Sequence, residues 1–389
     1  MRFPSPVFSC FSLKLILSLA FVSIANSALA EDAALTPEVT LRLPPTASNP
    51  RNSEGDFIEL KDGRVLFVYT HFTGGGDDHA SAFLAGRYST DGGKSWDATD
   101  TRILENEAGF NVMSVSLLRL ADGRIAMFYL TKHSLEDCRP VVRFSKDEAA
   151  TWSPPVAMIP DADVGYYVLN NDRVIQLKDG RLVAPVALHN SPEWEKPDWV
   201  GRVLCYLSDD AGRTWRRSQS ILQAHAPDSG KRNLAQEPGV VELRDGRVMM
   251  FVRSNAGSQL VSHSSDGGET WSALAPSTLQ SPTSPATIER IPGSDRLVCV
   301  WNDHANIAAE LRGKRTPLSL AISEDEGKTW HPSITLFDNP DGWYCYTAMD
   351  FTKDAILLGH CAGDRTKNNG LAESQITRIE LDALTSGQE

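Results

Sequence analysis

The sequence lacks several patterns that define common classes of enzyme. Its 389 residues contain no CxxC pair, no HExxH motif and no glycine-rich phosphate or nucleotide loop. These absences argue against a structural zinc site, a zinc protease and a nucleotide-dependent enzyme. No window has apolar residues at a sustained helical spacing, which argues against a helical bundle. We therefore expect neither a metal nor a cofactor.

Positive charge is also scarce. The chain carries 38 Lys and Arg against 50 Asp and Glu, which gives a formal net charge of −12. An acidic protein repels the phosphates of nucleic acids and of anionic lipid head groups. We therefore expect no nucleic-acid partner.

A long apolar run is present near the start of the chain. Arg2 and Lys14 precede the segment LILSLAFVSIA, and the small residues of NSALA follow it. This order is typical of a secretory signal peptide, and the apolar run is too short to span a bilayer. We predict that residues 1–30 are a signal peptide cleaved near Ala30. The protein is then exported to a periplasm or to the medium, without a membrane span.

Cysteine is sparse in the rest of the chain. The five cysteines after residue 30 are scattered, and an odd number leaves at least one thiol free. Cys345 and Cys361 are the pair that could bridge neighbouring strands. A disulfide framework is not expected.

An eight-residue pattern, S-x-D-x-G-x-T-W, occurs five times, with Ser95 in place of Thr in the first copy and Ala149 in place of Gly in the second. Its Asp can accept hydrogen bonds from nearby backbone N–H groups, its Gly can adopt a left-handed backbone, and its Trp can start a strand that packs into a core. The pattern therefore predicts structural hairpin turns, known as Asp-boxes. The copies are STDGGKSW (89–96), SKDEAATW (145–152), SDDAGRTW (208–215), SSDGGETW (264–271) and SEDEGKTW (323–330).

A second pattern, a strand, a tight turn and another strand, occurs six times out of phase with the first. The copies are ELKDGRVLFVY (59–69), RLADGRIAMFY (119–129), QLKDGRLVAPVA (176–187), ELRDGRVMMFVR (242–253), RIPGSDRLVCVW (290–301) and DFTKDAILLGHC (350–361).

These spacings predict an all-β fold. A repeat of four strands has the length of a propeller blade, so six hairpins predict a six-bladed β-propeller of four-stranded antiparallel blades over residues 31–384. Closing the ring removes exposed sheet edges, and we expect EVTLRL (38–43) to pair with the last blade near SQITRIEL (374–381). Residues 385–389 are predicted to be a disordered tail.

Five Asp-boxes on six predicted blades resemble the sialidase (neuraminidase) superfamily, also called BNR-repeat proteins. The resemblance covers nearly all of the chain after the signal peptide. It implies three arginines that hold a substrate carboxylate, a tyrosine nucleophile assisted by a glutamate, and an aspartate that acts as acid and base.

The family's motifs align with particular residues of this sequence. The segment 236–253, QEPGVVELRDGRVMMFVR, resembles the family's Glu and second-Arg strands and implies Glu237 and Arg253. The segment KRTPLSLAISEDEGKTW implies Arg315 as the third arginine. The segment CYTAMDFTKDAILLGHC implies Tyr346 as the nucleophile.

The first blade supplies the remaining members. The glycine-rich segment GGGDDHASAFLAGRYSTDGG implies Asp78 as the acid/base, with Asp77 as the alternative, and NPRNSEGDFIELKDG implies Arg51 as the first arginine. The family usually continues its first Arg with Ile-Pro, whereas NSEGD follows Arg51. This departure is compatible with a different acidic sugar.

The implied set is chemically coherent. Three buried guanidiniums are costly without an anion, and arginine offers planar, bidentate donors to a carboxylate. A neutral tyrosine avoids the repulsion that an anionic nucleophile would meet from an acidic sugar, and a glutamate can accept its proton. The acid/base aspartate needs a pKa raised by burial. Sugar hydroxyls also need polar partners, for which Asn111, Asp172 and Asn302 are the candidates.

We therefore predict an exported exo-glycosidase that removes a terminal α-linked sialic acid or related acidic sugar with retention, acting as a monomer on a glycan or glycoconjugate. Two alternatives stay open. One is a hydrolase or lyase acting on another acidic sugar, and the other is a non-catalytic carbohydrate-binding propeller.

Overall fold

The computed structural model describes residues 1–5, 35–226 and 228–385. The chain divides into two units, residues 1–34 and residues 35–389. In the first unit, residues 1–5 form neither helix nor strand. The rest of the predicted signal peptide and residues 386–389 of the predicted tail lie outside the described residues. The second unit is all-β, as the sequence predicts.

The second unit begins with β1 (Glu38–Leu43), which is followed by a four-stranded antiparallel sheet. A nine-stranded sheet comes next, in which two antiparallel groups meet through the parallel pairing of Tyr166 with Cys138. The strands of the first sheet are β2 (Arg51–Glu59), β3 (Val65–Phe72), β4 (Ala82–Ser89) and β5 (Thr101–Leu104). Those of the second are β6 (Asn111–Arg119), β7 (Ile125–Lys132), β8 (Cys138–Ser145), β9 (Val156–Ala157), β10 (Tyr166–Val168), β11 (Ile175–Gln176), β12 (Leu182–Asn190), β13 (Arg202–Ser208) and β14 (Arg216–Arg217).

A two-stranded ribbon and three more four-stranded antiparallel sheets follow. The ribbon is β15 (Ala224–His225) with β16 (Arg232–Asn233). The next two sheets are β17 (Gln236–Glu242), β18 (Val248–Arg253), β19 (Ser258–Ser264) and β20 (Ala275–Gln280), then β21 (Thr287–Arg290), β22 (Leu297–Trp301), β23 (Leu318–Ser323) and β24 (Ile334–Phe337). The last is β25 (Gly342–Phe351), β26 (Ala355–Asp364) and β27 (Ser374–Glu380), with β1 at its edge.

Helical structure in the described residues is short. Three 3₁₀ turns cover Asp161–Asp163, Ala309–Leu311 and Arg365–Lys367, and one α-helical turn, α1, covers Asp382–Thr385. None of these described helices is long and apolar enough to cross a membrane.

The pairing of β1 with β27 joins the two ends of the second unit. The strands are antiparallel, with Val39 opposite Thr377 and Leu43 opposite Ser374. This pairing confirms the prediction that EVTLRL returns to the last sheet. It leaves the last sheet with four strands although the C-terminal part of the chain supplies three of them.

All six predicted hairpins are present, and the five Asp-boxes form turns between later strands. In the first box the N–H of Ser95 donates to Asp91 Oδ1 at 2.9 Å, and the N–H of Gly93 donates to Ser89 Oγ at 2.9 Å. The bond to the Asp recurs in the other four boxes, at Asp147, Asp210, Asp266 and Asp325. Ala149, which replaces the usual glycine, also adopts a left-handed backbone, with a φ of 65°.

Apolar side chains form cores between successive sheets. Leu66 and Leu84 of the first sheet pack with Met127 of the second, and Phe57 of the first packs with Leu357 of the last. The first sheet is therefore covered on one face by the sheet that follows it and on the other by the last sheet of the chain.

The six hairpins also contribute to one cavity of about 490 Å³. Carboxyl groups gather there together with Arg173, which donates to the carbonyl oxygens of Asp172 and Ala286 at 2.9 Å each. Burial raises the pKa of Asp350 to about 7 and that of Asp172 to about 6. The lining includes one residue beside each hairpin: Asp56, Leu117, Asp172, Val240, Glu289 and Asp350.

Replacing Asp350 with Asn is expected to flatten the dependence of stability on pH. Because folding raises the pKa of Asp350, its protonated form stabilises the fold below about pH 4, and that contribution is lost as the pH rises through about 7. The amide stays neutral and can still accept the bond from the N–H of Phe351. We expect the melting temperature of Asp350→Asn at about pH 8 to exceed that of the wild type by on the order of 2 °C.

The measurement is thermal unfolding between about pH 5 and pH 8. The control is Asp62→Asn, since Asp62 lies in an exposed turn and its pKa is lowered, first by the backbone N–H of Arg64, so that it titrates below this range. An Asp350→Asn variant with the wild-type slope would show that the cavity carboxyls do not govern this dependence.

Candidate active site

Three inner strands carry a bulge that turns a polar side chain out of the normal alternation. The register shifts between Ser53 and Asp56 in β2, within 236–239 in β17 and within 345–348 in β25. Inside each shift stands a non-glycine residue with positive φ: Glu54 at 50°, Glu237 at 49° and Tyr346 at 55°. Bulges re-aim side chains, and each of these three contacts an arginine named from the sequence: Glu54 contacts Arg51, Glu237 contacts Arg253 and Tyr346 contacts Arg315.

Tyr346 and Glu237 form the centre of the group. The Tyr346 hydroxyl donates to Glu237 Oε1 at 3.3 Å, and Arg253 donates through Nη1 to the same oxygen. The Arg315 guanidinium lies over the Tyr346 ring, 5.3 Å from its centroid. A phenol, a carboxylate and two guanidiniums are therefore in direct contact, although they come from four different strands or strand ends.

The Tyr346 hydroxyl is held neutral. Burial and the negative charge of Glu237 raise its pKa, while the charges of Arg315 and Arg253 act in the opposite direction and only partly compensate. The phenol therefore keeps its proton until a base removes it, and Glu237 is the base within reach.

Arg51 forms a second group with two carboxylates. It is almost completely buried, and its Nη1 contacts Asp78 Oδ1 at 2.5 Å while its Nη2 lies 3.5 Å from Glu54 Oε2. Burial raises the pKa of Glu54 to about 7, against the opposing charge of Arg51. Partial desolvation acts to raise the pKa of Asp78, but its side chain is 59% exposed, and the charge and hydrogen bond of Arg51 lower the pKa. This direction is opposite to the one expected of a general acid.

An unbroken series of contacts links the two groups. Arg51 Nη2 donates to Ser53 Oγ at 3.3 Å, and Ser53 Oγ lies 3.7 Å from Cys361 Sγ. Cys361 is the register partner of Cys345 and exchanges a hydrogen bond with it, and Cys345 also bonds to Arg315. The three arginines named from the sequence therefore lie around one region of the molecule.

The two thiols in this series are free, as are all five cysteines of the described chain. Burial alone would raise the pKa of Cys345, but the hydrogen bond from Cys361 and the charge of Arg315 lower it to about 6. The Cys345 thiol beside Arg315 therefore gives up its proton more readily than an ordinary thiol does.

Several buried polar atoms of the site have no hydrogen-bond partner within the described chain. An unsatisfied buried polar atom is costly, so a cluster of them indicates a surface completed by a ligand. Guanidinium groups dominate, and the ligand they fit carries a carboxylate or similar anion. The atoms are Arg51 Nε, Arg253 Nε, Arg315 Nη1, Glu54 Oε2 and Glu237 Oε2.

The other predicted residues have different positions. Asn111 donates to the carbonyl oxygens of Asp78 at 3.0 Å and Ala80 at 2.8 Å, so it holds the Asp78 loop. Asn302 donates to the carbonyl of Pro317 at 2.9 Å, just after Arg315. Asp77 is exposed and accepts a bond from the N–H of His79 at 2.8 Å. These contacts position loops near the site.

Asp172 is not brought to the arginines. Its carboxylate lines the cavity beside the hairpins and accepts a bond from the N–H of Met349 at 3.0 Å. Its neighbour Asn171 faces the other way, and donates to the carbonyl oxygens of Tyr346 at 3.1 Å and Gly55 at 2.9 Å. Asn171 and Asp172 lie in the bend between β10 and β11, and Asp172 has a left-handed backbone with a φ of 56°, which turns its side chain away from that of Asn171.

Two residues of the site, Glu54 and Lys132, are not predicted from the sequence. Glu54 precedes the hairpin residue Leu60 by six positions, the same distance that separates Glu237 from Leu243 and Tyr346 from Thr352. That spacing was a usable signal. Lys132 ends β7 and donates through Nζ to the carbonyl of Asp78 at 2.8 Å, and nothing in its local sequence marks it.

No group of three or more potential metal ligands occurs among the described residues. The side chains gathered at the site are guanidiniums, carboxylates and one phenol.

Several solved structures are similar to this chain in fold. The fold matches the leech intramolecular trans-sialidase with a TM-score of 0.66 at 15% identity, over 92% of this chain and 72% of that one. It matches the NanB sialidase of Streptococcus pneumoniae with a TM-score of 0.67 at 15% identity, over 89% and 71%. A protein of unknown function from Dyadobacter fermentans gives 0.67 at 17% identity, over 88% and 98%. The chain thus has a sialidase-like all-β fold.

Sequence comparison gives the family. Residues 100–358 match the BNR repeat-like domain and residues 87–98 match the BNR/Asp-box repeat, so the chain belongs to the BNR-repeat family. A sialidase of Micromonospora viridifaciens is 26% identical over 85% of this chain, and one of Bacteroides fragilis is 25% identical over 69%. The chain spans about half the length of these relatives, 51% and 52%.

Proposed function

We propose that the protein is an exo-glycosidase of the sialidase type, which releases a terminal α-linked sialic acid or a related acidic sugar with retention of configuration. One observation carries the proposal: the Tyr346 hydroxyl is bonded to Glu237 at 3.3 Å, within a group of buried arginines that have unpartnered N–H groups. A purely structural site has no need for a buried phenol and carboxylate pair facing unsatisfied guanidiniums.

In the proposed reaction the arginines bind the carboxylate of the sugar. Arg315 and Arg253 flank Tyr346, so a carboxylate held between them brings the neighbouring anomeric carbon to the phenol. The charge-assisted bonds use the binding energy of the acidic group to position the reacting carbon.

The phenol then acts as the nucleophile. Tyr346 oxygen attacks the anomeric carbon, Glu237 accepts the phenolic proton, and the bond to the leaving oxygen breaks as Asp78 donates its proton to that oxygen. Water next attacks the tyrosyl-linked sugar and gives its proton to Asp78, while the phenol leaves and recovers its proton from Glu237. Two displacements at one carbon retain the configuration.

In this scheme the binding of the substrate raises the pKa of Asp78, so that its carboxyl group can hold the proton that an acid must donate. The charge and hydrogen bond of Arg51 lower the pKa of Asp78 in the free protein. A substrate carboxylate that engages Arg51 competes for the same guanidinium, weakens the ion pair and raises the pKa of Asp78. Acid function is therefore coupled to the arrival of an anionic substrate.

Replacing Asp78 with Asn is expected to lower kcat on a substrate with a poor leaving group by roughly 10²-fold or more, and to lower it less on an aryl glycoside, whose leaving group needs little protonation. Asp77→Asn is the matched control, because Asp77 is the adjacent acid and caps its own turn. Steady-state kinetics on both substrates provide the measurement. A larger decrease in kcat for Asp77→Asn than for Asp78→Asn would indicate that Asp77 is the acid/base.

The architecture proposed with this function is a six-bladed propeller. Six hairpins contribute to one cavity, β1 pairs with β27, and the first sheet packs on the last. We also propose export through the N-terminal signal, a glycan or glycoconjugate substrate, and a monomeric protein.

Another acidic sugar is the second candidate substrate. It is favoured by Arg51, which already has two carboxylate neighbours, Asp78 and Glu54, and is therefore partly neutralised before any ligand binds. An acid whose carboxylate relies on Arg253 and Arg315 alone fits that arrangement.

The experiment is turnover of the wild-type protein on fluorogenic α-sialosides and on other acidic glycosides at mildly acidic pH, with the first-formed anomer followed by NMR. We expect sialoside turnover and a retained anomer. If only another acidic glycoside were turned over, that sugar would replace sialic acid as the proposed substrate. An inverted anomer would exclude Tyr346 as the nucleophile. Binding without turnover on every substrate would favour the carbohydrate-binding alternative.

A further inference from the structure

An exposed aromatic surface borders the candidate active site. Among the described residues from 35 onward, the exposed large apolar side chains are Leu135, Trp199 and Ile221, and Trp199 is the most exposed of them at 48%. Single exposed apolar side chains are common on protein surfaces, so the position of Trp199 beside the candidate active site, rather than its exposure alone, points to a ligand surface.

The surface is rigid. The Trp199 ring stacks on His189 with 5.7 Å between centroids, and it meets the edge of Tyr166 at 5.5 Å. The Trp199 carbonyl accepts a bond from Gln236 Nε2 at 2.6 Å. The two ring contacts order the indole and the bond from Gln236 fixes the backbone of Trp199, so the side chain loses little freedom when a ligand stacks on it.

The position of the surface relates it to the reaction. Gln236, which holds Trp199, directly precedes Glu237 in β17. On the other side, Tyr166 lies 5.6 Å from the ammonium of Lys132, which donates to the carbonyl of Asp78. The aromatic surface therefore lies between the segment of the base and the loop of the proposed acid. The leaving group departs on the side of that acid, because the acid protonates the leaving oxygen.

The surface favours a neutral ring. Burial lowers the pKa of His189, so the imidazole behind Trp199 is neutral. A pyranose has an apolar C–H face that packs against an indole and hydroxyl groups at its edge that need polar partners. Exposed polar side chains precede Trp199 in its loop, and they include Glu193, Glu195 and Lys196.

We propose that Trp199 is a subsite for the first sugar of the leaving group, a neutral pyranose that stacks on the indole. The inference rests on the proposed function, since it assigns the sugar that is joined to the acidic one. It makes the protein selective for glycans over acidic sugars that carry a small or apolar aglycone.

The first test compares two substrates. One is a sialyllactose, whose galactose reaches the indole, and the other is methyl α-sialoside, whose methyl group does not. We expect Trp199→Ala to lower kcat/KM on sialyllactose about tenfold and to leave the methyl glycoside nearly unchanged, with Trp199→Phe intermediate. Ile221→Ala removes a comparably exposed apolar side chain and serves as the control. Equal losses on both substrates, or no loss on either, would overturn the proposal.

The second test does not need turnover. Binding of lactose, the neutral leaving group, is measured by calorimetry with wild type, Trp199→Ala and Ile221→Ala. Binding that is lost only in Trp199→Ala supports the subsite, even if the wild type hydrolyses no sialoside and the proposed function fails. Lactose binding that is absent from the wild type, or equal in all three proteins, would overturn the subsite.

Discussion

Replacing Tyr346 with Phe is expected to lower kcat on an acidic glycoside by roughly 10³-fold or more, because the variant lacks the oxygen that forms the covalent bond to the sugar. Binding should survive, since the arginines and the aromatic ring remain. The variant should therefore bind the free acidic sugar with nearly wild-type affinity, measured by calorimetry, while its single-turnover rate falls. A small decrease in kcat would contradict the nucleophile assignment.

Tyr344→Phe is the matched control for this change. Tyr344 is two residues away on β25, is equally buried, and packs in an apolar cluster away from Glu237. It should keep wild-type turnover. If Tyr344→Phe were the inactive variant and Tyr346→Phe the active one, Tyr344 would be the nucleophile instead of Tyr346.

Much of the fold could be predicted because short local sequence motifs specify its turns. The Asp-box sets up its own hydrogen bonds within eight residues, and each DG-type hairpin is flanked by apolar strands, so neither depends on distant contacts. The pairing of β1 with β27 was also predictable, because an unpaired edge strand at each end of the chain is unfavourable. The parallel contact of Tyr166 with Cys138 was not predictable, since one pair of residues leaves no periodic signal.

The candidate site was only partly predictable for a different reason. Arginine, glutamate and tyrosine could be named from motifs, but the direction of a side chain next to a bulge cannot be read from alternation. Asp172 was expected at the site and lies in the cavity, whereas Asn171 contacts the backbone of Tyr346. Glu54 was missed because it stands in the stretch that departs from the family's usual motif.

Replacing Arg315 with Met is expected to lower kcat/KM on an acidic glycoside by roughly 10²- to 10³-fold, the loss typical of a buried charged partner. Arg315 lies over the nucleophile and has an unpartnered Nη1, so its charge is available to a substrate carboxylate. Arg312→Met is the control, since Arg312 is an exposed arginine in the same loop. Steady-state kinetics of the two variants give the comparison, and equal activities would exclude Arg315 from carboxylate binding.

The same substitution should separate function from stability. A buried guanidinium with an unpartnered N–H is costly to the fold, so an apolar side chain of similar length should leave the melting temperature unchanged or raise it. The pKa of Cys345, which Arg315 helps to lower to about 6, should rise, and thiolate absorbance during a pH titration would report that rise. A variant that lost activity together with much of its stability would mean that Arg315 serves the fold. Lost turnover with intact stability and a raised thiol pKa would mean that the guanidinium is kept for the ligand.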